Sequence, residues 1–305
     1  MIDGKEAYEK VLDEVKRHIS GKTDVIELMF IALLANGHAL LEGVPGVAKT
    51  TMAKTLADTI SVDFSRIQGM PDLDIKDIIG YTYIDEMNEI QIKKGPIFTN
   101  ILLIDELNRA PPKTTTALLE ALEERMVTLG NQTIPLKRPF IALATQNPLN
   151  IEGTTPLPKV LADRFLLRIE VTYPENADEE TTILRIKERE ENPEVKKVLT
   201  SNDVLELQGQ VNSIKMEDDV ANYITRLVRT TREEIHVVMG GSPRASISFM
   251  KCGKARALIH GRDKVLIEDI KVLAKPILSH RIVVRSTGAI GVNGVIDGII
   301  ATMPN

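Results

Sequence analysis

The sequence lacks the features of a membrane-spanning or secreted protein. Its longest uninterrupted apolar run, residues 28–35, is much shorter than the roughly 20 residues that cross a bilayer. The amino terminus mixes charged and apolar residues and has no apolar stretch of the signal-peptide kind. The single cysteine, Cys252, excludes an intrachain disulfide and any metal site built from several cysteines. These absences predict a cytoplasmic protein without a membrane span.

An excess of positive charge is also missing. The chain has 38 Lys and Arg against 43 Asp and Glu, a formal net charge of −5, so its surface repels a phosphate backbone at long range. Without a local basic patch, nucleic-acid binding is not expected. The five histidines show no metal-ligand spacing. The composition, with 43% hydrophobic and 27% charged residues, is typical of a globular protein. The length of 305 residues predicts a main domain plus a smaller one.

The first part of the chain alternates short apolar runs with amphipathic helical stretches, a pattern that predicts an α/β domain with a helix-covered parallel sheet. Some runs, such as Ile101 to Ile104, are continuously apolar, as strands buried on both faces must be. The clearest helix covers residues 112–125. The predicted strands are residues 38–43, 64–68, 101–106, 140–146 and 166–171.

Two hairpins and a helical region interrupt or follow this alternation. Residues 81–92 and 126–136 are predicted to form hairpins inserted into the βα order. After residue 174 strands are expected to stop, and about four helices follow up to residue 278. We therefore predict an α/β core over residues 1–173 and a smaller all-α lid domain over residues 174–305.

The strongest motif follows the first strand and opens a helix, which is the context of a phosphate-binding P-loop. Successive backbone N–H groups of such a loop bind phosphate oxygens at the positive end of the following helix. Lys49 would reach the β- and γ-phosphates, and the Thr50 hydroxyl would bind Mg²⁺. Ala48 replaces the usual glycine, which predicts a negative φ at this residue. The predicted nucleotide-binding residues are Gly43, Val44, Pro45, Gly46, Val47, Ala48, Lys49, Thr50 and Thr51.

Polar side chains follow two later strands. Asp105 and Glu106 end an apolar strand, and the carboxyl ends of strands are where open α/β sheets bind ligands. Asp105 would bind Mg²⁺ and Glu106 would deprotonate the attacking water; a helix cap is the alternative use of the pair. Asn147 follows the next strand, where its amide would contact the γ-phosphate or position water, the alternative being a turn residue before Pro148. The sequence thus predicts ATP and Mg²⁺ as ligands.

These motifs together resemble the MoxR-type AAA+ ATPases of the helix-two-insert clade, over nearly the whole chain. Ala48 belongs to the Ala-Lys-Thr ending of that family's P-loop. Residues 69–80 follow the family pattern only loosely, which leaves the client protein open. The other matching strings are residues 95–98 and 103–114, Ala144-Thr145-Gln146-Asn147-Pro148, Glu152-Gly153-Thr154, Pro156-Leu157-Pro158, Asp163-Arg164-Phe165, Gly241-Ser242-Pro243-Arg244-Ala245 and Ser279-His280-Arg281-Ile282.

The resemblance implies a P-loop AAA+ core with a helical lid that works as a homo-oligomer, a ring of six subunits. Asn147 would be the first sensor, Arg164 the arginine finger offered to a neighbouring subunit, and Arg244 the second sensor in the lid. Arg109 has no clear counterpart role. The family resembles chaperones that remodel or activate other proteins, often with a partner that bears a von Willebrand factor A domain.

The residues themselves leave alternatives for both arginines. Arg164 precedes a strand, where a structural ion pair is the common use. Lys49 is the one fixed cation expected near the transferred phosphoryl group, so an added arginine would raise the rate by about 10³- to 10⁵-fold. Arg244 is expected in the first turn of a helix, where a cation needs an anion beside it. That anion is either the γ-phosphate or a nearby carboxylate.

Three other functions remain open from the sequence. A nucleic-acid motor would share the two hairpins, although the acidic composition argues against it. A small-molecule P-loop kinase would need an acceptor pocket and no neighbouring subunit. A scaffold that binds ATP as a switch would not need the complete acidic pair.

Overall fold

The computed structural model describes residues 2–147, 156–188, 194–285 and 291–303. Pro148 and the Glu152-Gly153-Thr154 string lie outside these residues. Within the described ranges, no helix combines the length and the apolar character that a bilayer crossing needs.

A five-stranded parallel sheet forms the centre of the fold, as predicted. Each strand lies within one of the predicted segments, because short runs rich in apolar residues can be buried on both faces of a sheet. The strands are β1 (Ala39–Glu42), β2 (Phe64–Gln68), β5 (Ile101–Asp105), β8 (Ile141–Gln146) and β9 (Leu167–Glu170). Their order across the sheet is β2-β5-β8-β1-β9.

The strand order explains how the predicted site residues can meet. β8 lies between β5 and β1 and pairs in parallel with both. The segments that follow these three strands therefore leave the same edge of the sheet side by side. Asn147, after β8, lies between the P-loop after β1 and the acidic pair at the end of β5.

Two antiparallel hairpins lie where the sequence places them. The first pairs β3 (Gly80–Ile84) with β4 (Ile90–Lys94), and the second pairs β6 (Met126–Leu129) with β7 (Gln132–Pro135). Gly130 turns the second hairpin with a φ of 61°, which glycine adopts without a Cβ penalty.

Helices cover both faces of the sheet. Its strands alternate their side chains between two apolar layers: Leu41 and Leu103 face one layer, whereas Leu40 and Leu102 face the other. The helices of this part are α1 (Gly4–Lys16), α2 (Thr23–Leu34), α3 (Lys49–Ile60), α4 (Ile75–Ile79), α5 (Pro112–Glu124) and α6 (Lys159–Ala162), with a 3-10 turn at Leu107–Arg109.

The carboxyl-terminal part is a helical lid, as predicted, with two corrections to its details. Its described helices exceed the expected four and continue past residue 278. A short antiparallel pair, β10 (Val237–Met239) with β11 (Val283–Val284), also forms there, because two short valine-rich segments can pair across a lid although neither is long enough to predict a strand. The helices are α7 (Ala177–Glu188), α8 (Ser201–Ser213), α9 (Asp218–Glu233), α10 (Pro243–Ile259), α11 (Ile267–Leu278) and α12 (Val292–Thr302).

The apolar layer that holds Leu41 and Leu103 continues into the lid. It also contains Phe249 of α10 and Leu273 of α11, both fully buried. Helices α1 and α2 contact α10, and α2 also contacts α8. The division of the chain into residues 1–173 and 174–305 stays a prediction, and the packing joins the two parts through one continuous core.

Candidate nucleotide site

The P-loop leaves β1 at Gly43, where the backbone packs against the end of β9. A Cβ at Gly43 would lie 2.2 Å from the carbonyl oxygen of Val171, closer than atoms can approach. Gly46 has a φ of 86°, a conformation that strongly favours glycine. Close approach and backbone turn thus explain the two glycines of the loop.

The expectation of a negative φ at Ala48 is wrong. Ala48 has a φ of 61° and a ψ of 23° and immediately precedes the first residue of α3. The left-handed conformation costs a non-glycine residue about 1–2 kcal/mol, and the chain adopts it here to turn from the loop into the helix. This strain lies within the P-loop, and strained backbone residues cluster at functional sites.

Lys49 folds over the loop that precedes it. Its Nζ donates to the carbonyl oxygens of Gly43 and Val44, and to Oδ1 of Asn147 at 3.3 Å. Burial lowers the pKa of Lys49, and Asp105 and Glu106 act in the opposite direction. The ammonium group is therefore held between the P-loop and the acidic pair.

Asp105 accepts hydrogen bonds from three elements. Thr145 Oγ1 donates to Oδ1 at 2.6 Å, and Thr50 Oγ1 and Arg66 Nη2 donate to Oδ2 at 3.1 and 2.6 Å. Burial alone would raise the pKa of Asp105, but the hydrogen bonds from Thr145, Arg66 and Thr50 outweigh it and lower the pKa. Asp105 is thus an ionised carboxylate that contacts the P-loop helix.

The arrangement fits a magnesium ion shared with a nucleotide. Mg²⁺ binds oxygens at about 2.0–2.1 Å in octahedral geometry, so neighbouring ligands lie about 3 Å apart, close to the Thr50–Asp105 separation of 3.1 Å. The described residues contain no cluster of three or more His, Cys, Asp and Glu side chains that could hold a metal. Thr50 and Asp105 would therefore bind the ion together with phosphate oxygens and water, as is usual for Mg²⁺.

Glu106 is held at the edge of the sheet by three donors. Asn147 Nδ2 donates to Oε1 at 3.0 Å, and Arg109 Nη1 and Gln68 Nε2 donate to Oε2 at 2.9 and 3.2 Å. Its backbone has a φ of 54°, an uncommon value for glutamate. Asn147 contacts both Lys49 and Glu106, as its place between the two strands predicts.

Lys49 is not the only cation beside the acidic pair, contrary to the expectation from the sequence. Arg66 pairs with Asp105 and Arg109 pairs with Glu106. Each of these guanidinium groups contacts one carboxylate of the acidic pair. The chain order conceals Arg66, since it meets Asp105 only because β2 pairs with β5.

A cavity of about 760 Å³ adjoins the P-loop and the acidic pair. Its lining also includes apolar side chains, Ile19 after α1 and Ile183 and Leu184 on α7. Leu184 is 67% exposed, so its side chain is accessible from the cavity. Apolar surface beside polar groups is typical of small-molecule sites, and these residues lie far from the P-loop in the sequence.

Arg164 and Arg244 do not line this cavity; they meet at a second position. Arg164 Nη2 lies 2.6 Å from Glu123 Oε2, and Arg244 Nη2 lies 2.9 Å from Glu123 Oε1. Arg244 Nε lies 3.7 Å from Asp163, which also pairs with Arg281 at 3.0 Å. We call Glu123, Asp163, Arg164, Arg244 and Arg281 the arginine cluster. Carboxylates are thus the anions beside Arg244 in this structure.

The arginine cluster lies at the opposite edge of the sheet from the P-loop. His38, just before β1, accepts the N–H of Leu166 at its carbonyl and contacts the carbonyl of Leu122 at 2.9 Å through Nε2. Leu122 precedes Glu123, and Leu166 follows Arg164 by two residues. Both arginines are therefore near the amino ends of the strands, whereas the P-loop follows a carboxyl end.

Arg281 fastens the lid to the segment that carries Arg164. Its side chain is buried and donates to the carbonyls of Phe165 and Leu166 at 2.8 and 3.2 Å, besides pairing with Asp163. His280 contacts the same Phe165 carbonyl at 2.9 Å. The Ser-His-Arg string matched the family in sequence analysis, but this structural role follows only from the packing.

Fold and site define the class of the protein: a P-loop nucleotide-binding core with a helical lid, as in AAA+ ATPases. The family model described as the ATPase family associated with various cellular activities (AAA) matches residues 38–167, and the AAA lid domain matches residues 229–293.

The chain belongs to the MoxR-type AAA+ ATPases. It is 43% identical over 278 residues to the Bacillus subtilis protein YeaC, an alignment of 90% of this chain and 87% of the relative. It is 40% identical over 285 residues to the Mycobacterium tuberculosis protein named Chaperone MoxR1, with 90% and 75% covered. A crystal structure of an ATPase candidate from Cytophaga hutchinsonii superposes with a TM-score of 0.91 at 38% identity, covering 99% of this chain and 95% of the other. Membership in this family supports an ATPase.

Proposed function

We propose that the chain binds Mg²⁺ and ATP in the cavity beside the P-loop and hydrolyses ATP at an interface between two copies. One copy contributes the P-loop, Asp105 and Glu106, and the next copy contributes Arg164 and Arg244. The observation that supports this proposal most directly is that Glu123 holds both arginines at the edge of the sheet opposite the chain's own P-loop.

The register of the sheet supports the assignment of Arg164, and of Arg244 beside it, to the site of another copy. β9 runs alongside β1 from Leu167 opposite Ala39 to Glu170 opposite Glu42, and four residues of strand span about 10 Å. Arg164 lies before this span and Gly43 after it. Arg66 and Arg109 are paired with the two carboxylates of the site itself, so in this proposal the additional guanidinium groups for the transferred phosphoryl group come from another copy.

The residues of the site have distinct roles in this proposal. Amide groups of the P-loop bind phosphate oxygens, and Lys49 moves from its carbonyl partners to the β- and γ-phosphates. The ion that Thr50 and Asp105 would hold neutralises phosphate charge when bound. Glu106 accepts a proton from the attacking water. Asn147 keeps the Glu106 carboxylate in place and, as the first sensor, lies near the γ-phosphate.

A subunit-mixing experiment tests the shared site. Glu106→Gln and Arg164→Ala are each expected to be nearly inactive alone, since one removes the base and the other an arginine worth about 10³- to 10⁵-fold in rate. In an equal mixture, about one quarter of the interfaces join an intact base to an intact arginine, because the two sides of a head-to-tail interface are drawn independently. Recovery of activity is expected, and no recovery at any ratio would refute the shared site.

Exposed Arg229 on α9 provides a matched control for the loss of one positive charge. Arg229→Ala is expected to retain wild-type ATPase activity alone. A loss of activity in this control similar to that of Arg164→Ala would show that net charge, and not the finger, is responsible.

The proposed interface joins two different surfaces of one chain, the P-loop edge and the arginine edge. A head-to-tail contact of this kind closes into a ring or extends into a filament, and we propose the closed ring of six that the family resemblance implies. Mass measurement of the Glu106→Gln protein with ATP is expected to show six copies. A monomer that retains full activity at high dilution would contradict the ring and favour the kinase alternative.

We further propose that hydrolysis drives chaperone-like remodelling of a client protein in the cytoplasm, with a von Willebrand factor A domain protein as a partner. The name Chaperone MoxR1 of one relative supports this class of function. The Glu106→Gln protein is expected to retain clients in ATP and to release them in ADP. Stimulation of ATPase activity by single- or double-stranded DNA, without nucleotide-dependent protein capture, would instead favour a nucleic-acid motor.

A further inference from the structure

Glu123 uses both of its oxygens to bind two arginines from different parts of the chain. Oε2 lies 2.6 Å from Arg164, in the segment after α6, and Oε1 lies 2.9 Å from Arg244, in the first turn of α10. Glu123 itself is in the last turn of α5. One carboxylate therefore connects the sheet core, the turn before β9 and the lid.

Asp163, the other carboxylate of the arginine cluster, cannot replace Glu123. It pairs with Arg281 at 3.0 Å and lies 3.7 Å from Arg244. Arg164 has Glu123 as its one ion-pair partner within the described ranges, and its further bond to the carbonyl of Val160 is long, at 3.3 Å. The direction of the Arg164 side chain thus depends on Glu123.

The charges of the arginine cluster also make the position of Arg164 depend on Glu123. Two guanidinium groups that share one carboxylate lie within a few ångströms of each other, where like charges repel. The negative charge of Glu123 between them offsets this repulsion. The hydrogen bonds from Arg244 and Arg164 lower the pKa of Glu123, so the carboxylate is ionised at neutral pH.

The arginines keep donors for a further anion. A guanidinium has five N–H groups, and Glu123 contacts one terminal nitrogen of each arginine. The side chain of Arg244 is 46% exposed and that of Arg164 is 18% exposed, so Arg244 is the more accessible of the two to a phosphate. The carboxylate is therefore compatible with phosphate binding and aligns the groups that would do it.

We propose that Glu123 is a positioning residue that holds Arg164 and Arg244 as a pair for the nucleotide of the neighbouring copy. This inference rests on the shared site proposed above. Preorganised side chains depend on such supporting partners, and loss of a supporting partner at a metal site costs about 10- to 100-fold in affinity or activity. Since Glu123 is 38% exposed in its side chain, its removal is expected to affect activity far more than stability.

Glu123→Gln, which keeps the size and removes the charge, tests the proposal. ATPase kcat is expected to fall about 10- to 100-fold, while binding of a fluorescent ATP analogue to the P-loop changes less than twofold. The matched control is Glu124→Gln, the exposed neighbour on the same helix, for which kcat is expected to stay within twofold of wild type. Combining Glu123→Gln with Arg164→Ala is expected to cost less than the product of the two single losses, because both changes remove the contribution of Arg164.

Mixing with Glu106→Gln separates positioning from a structural defect. A Glu123→Gln copy has an intact base, and its Glu106→Gln neighbour has correctly held arginines, so activity is expected to return in the mixture. The proposal is overturned if Glu123→Gln retains kcat within twofold of wild type. It is also overturned if mixing does not restore Glu123→Gln although it restores Arg164→Ala. If mixing fails to restore Arg164→Ala as well, the shared site itself is wrong and the role of Glu123 falls with it.

Discussion

Arg281 is a buried cation that joins the lid to the turn carrying Arg164, and its replacement by methionine provides a demanding test of the packing. Its donors reach Asp163 and the carbonyls of Phe165 and Leu166. Burial lowers the pKa of Arg281 and Asp163 raises it. Methionine keeps an unbranched apolar stem but removes the charge and every donor, leaving Asp163, the Ser248 hydroxyl and three backbone carbonyls, that of Ile277 included, without this partner.

The expected loss is about 3 kcal/mol in the free energy of unfolding. Breaking a buried ion pair by removing one partner costs about 3–5 kcal/mol, and the lower end applies because Asp163 is partly exposed and retains Arg244 nearby. For an m value of about 3 kcal/mol per M, the urea midpoint should fall by about 1 M. ATPase activity should fall as well, since the Asp163–Leu166 turn would no longer hold Arg164 in place.

Urea titration followed by circular dichroism measures the change, with Arg229→Met on the exposed face of α9 as control. The control is expected to shift the midpoint by less than 0.2 M, about what surface substitutions of 0.5 kcal/mol produce. If Arg281→Met shifts the midpoint no more than the control does, Arg281 does not fasten the lid to this turn.

Three other outcomes follow from individual residues. Gly43→Ala places a Cβ 2.2 Å from the Val171 carbonyl and is expected to weaken ATP-analogue binding more than tenfold, about 1.4 kcal/mol; unchanged affinity would show that the loop does not need this close approach. Ala48→Gly relieves the left-handed φ of 61° and is expected to raise stability by about 0.5–1 kcal/mol, so a lower urea midpoint would contradict it. Burial lowers the pKa of His38 to about 3 and the pKa of His280 well below its usual value, whereas both titrate near 6.5 in the unfolded chain. The free energy of unfolding should therefore decrease as the pH falls through the unfolded-state pKa near 6.5, by about 1 kcal/mol per histidine between pH 7 and pH 5.5. Equal urea midpoints at pH 7 and pH 5.5 would refute the assignment of both histidines as neutral.

Part of the site could be predicted because its residues directly follow strands in the sequence. Asp105, Glu106 and Asn147 each follow a short apolar segment, and the carboxyl ends of parallel strands share one edge of a sheet. The same reasoning places the P-loop there. It places Asn147 at this edge as well, whereas the contacts of Asn147 with Lys49 and Glu106 follow from the order of the strands.

The conformation of Ala48 shows where a local rule fails. Sequence propensity disfavours a positive φ for alanine, but the start of α3 and the packing of the loop impose it. Tertiary contacts that contribute a larger free energy than this backbone preference override it.

The amino-acid sequence by itself determines the parallel α/β core, the helical lid and the residues available for phosphate binding and water activation, because strands, helices and the P-loop arise from patterns within a few neighbouring residues. Only the tertiary structure decides which charges meet: Arg66 reaches Asp105 through the pairing of β2 with β5, and Glu123 meets Arg164 and Arg244 from three separate segments. These pairings depend on strand order and on the docking of the lid, which no local pattern encodes. The position of both arginines opposite their own P-loop is thus a property of the packed chain.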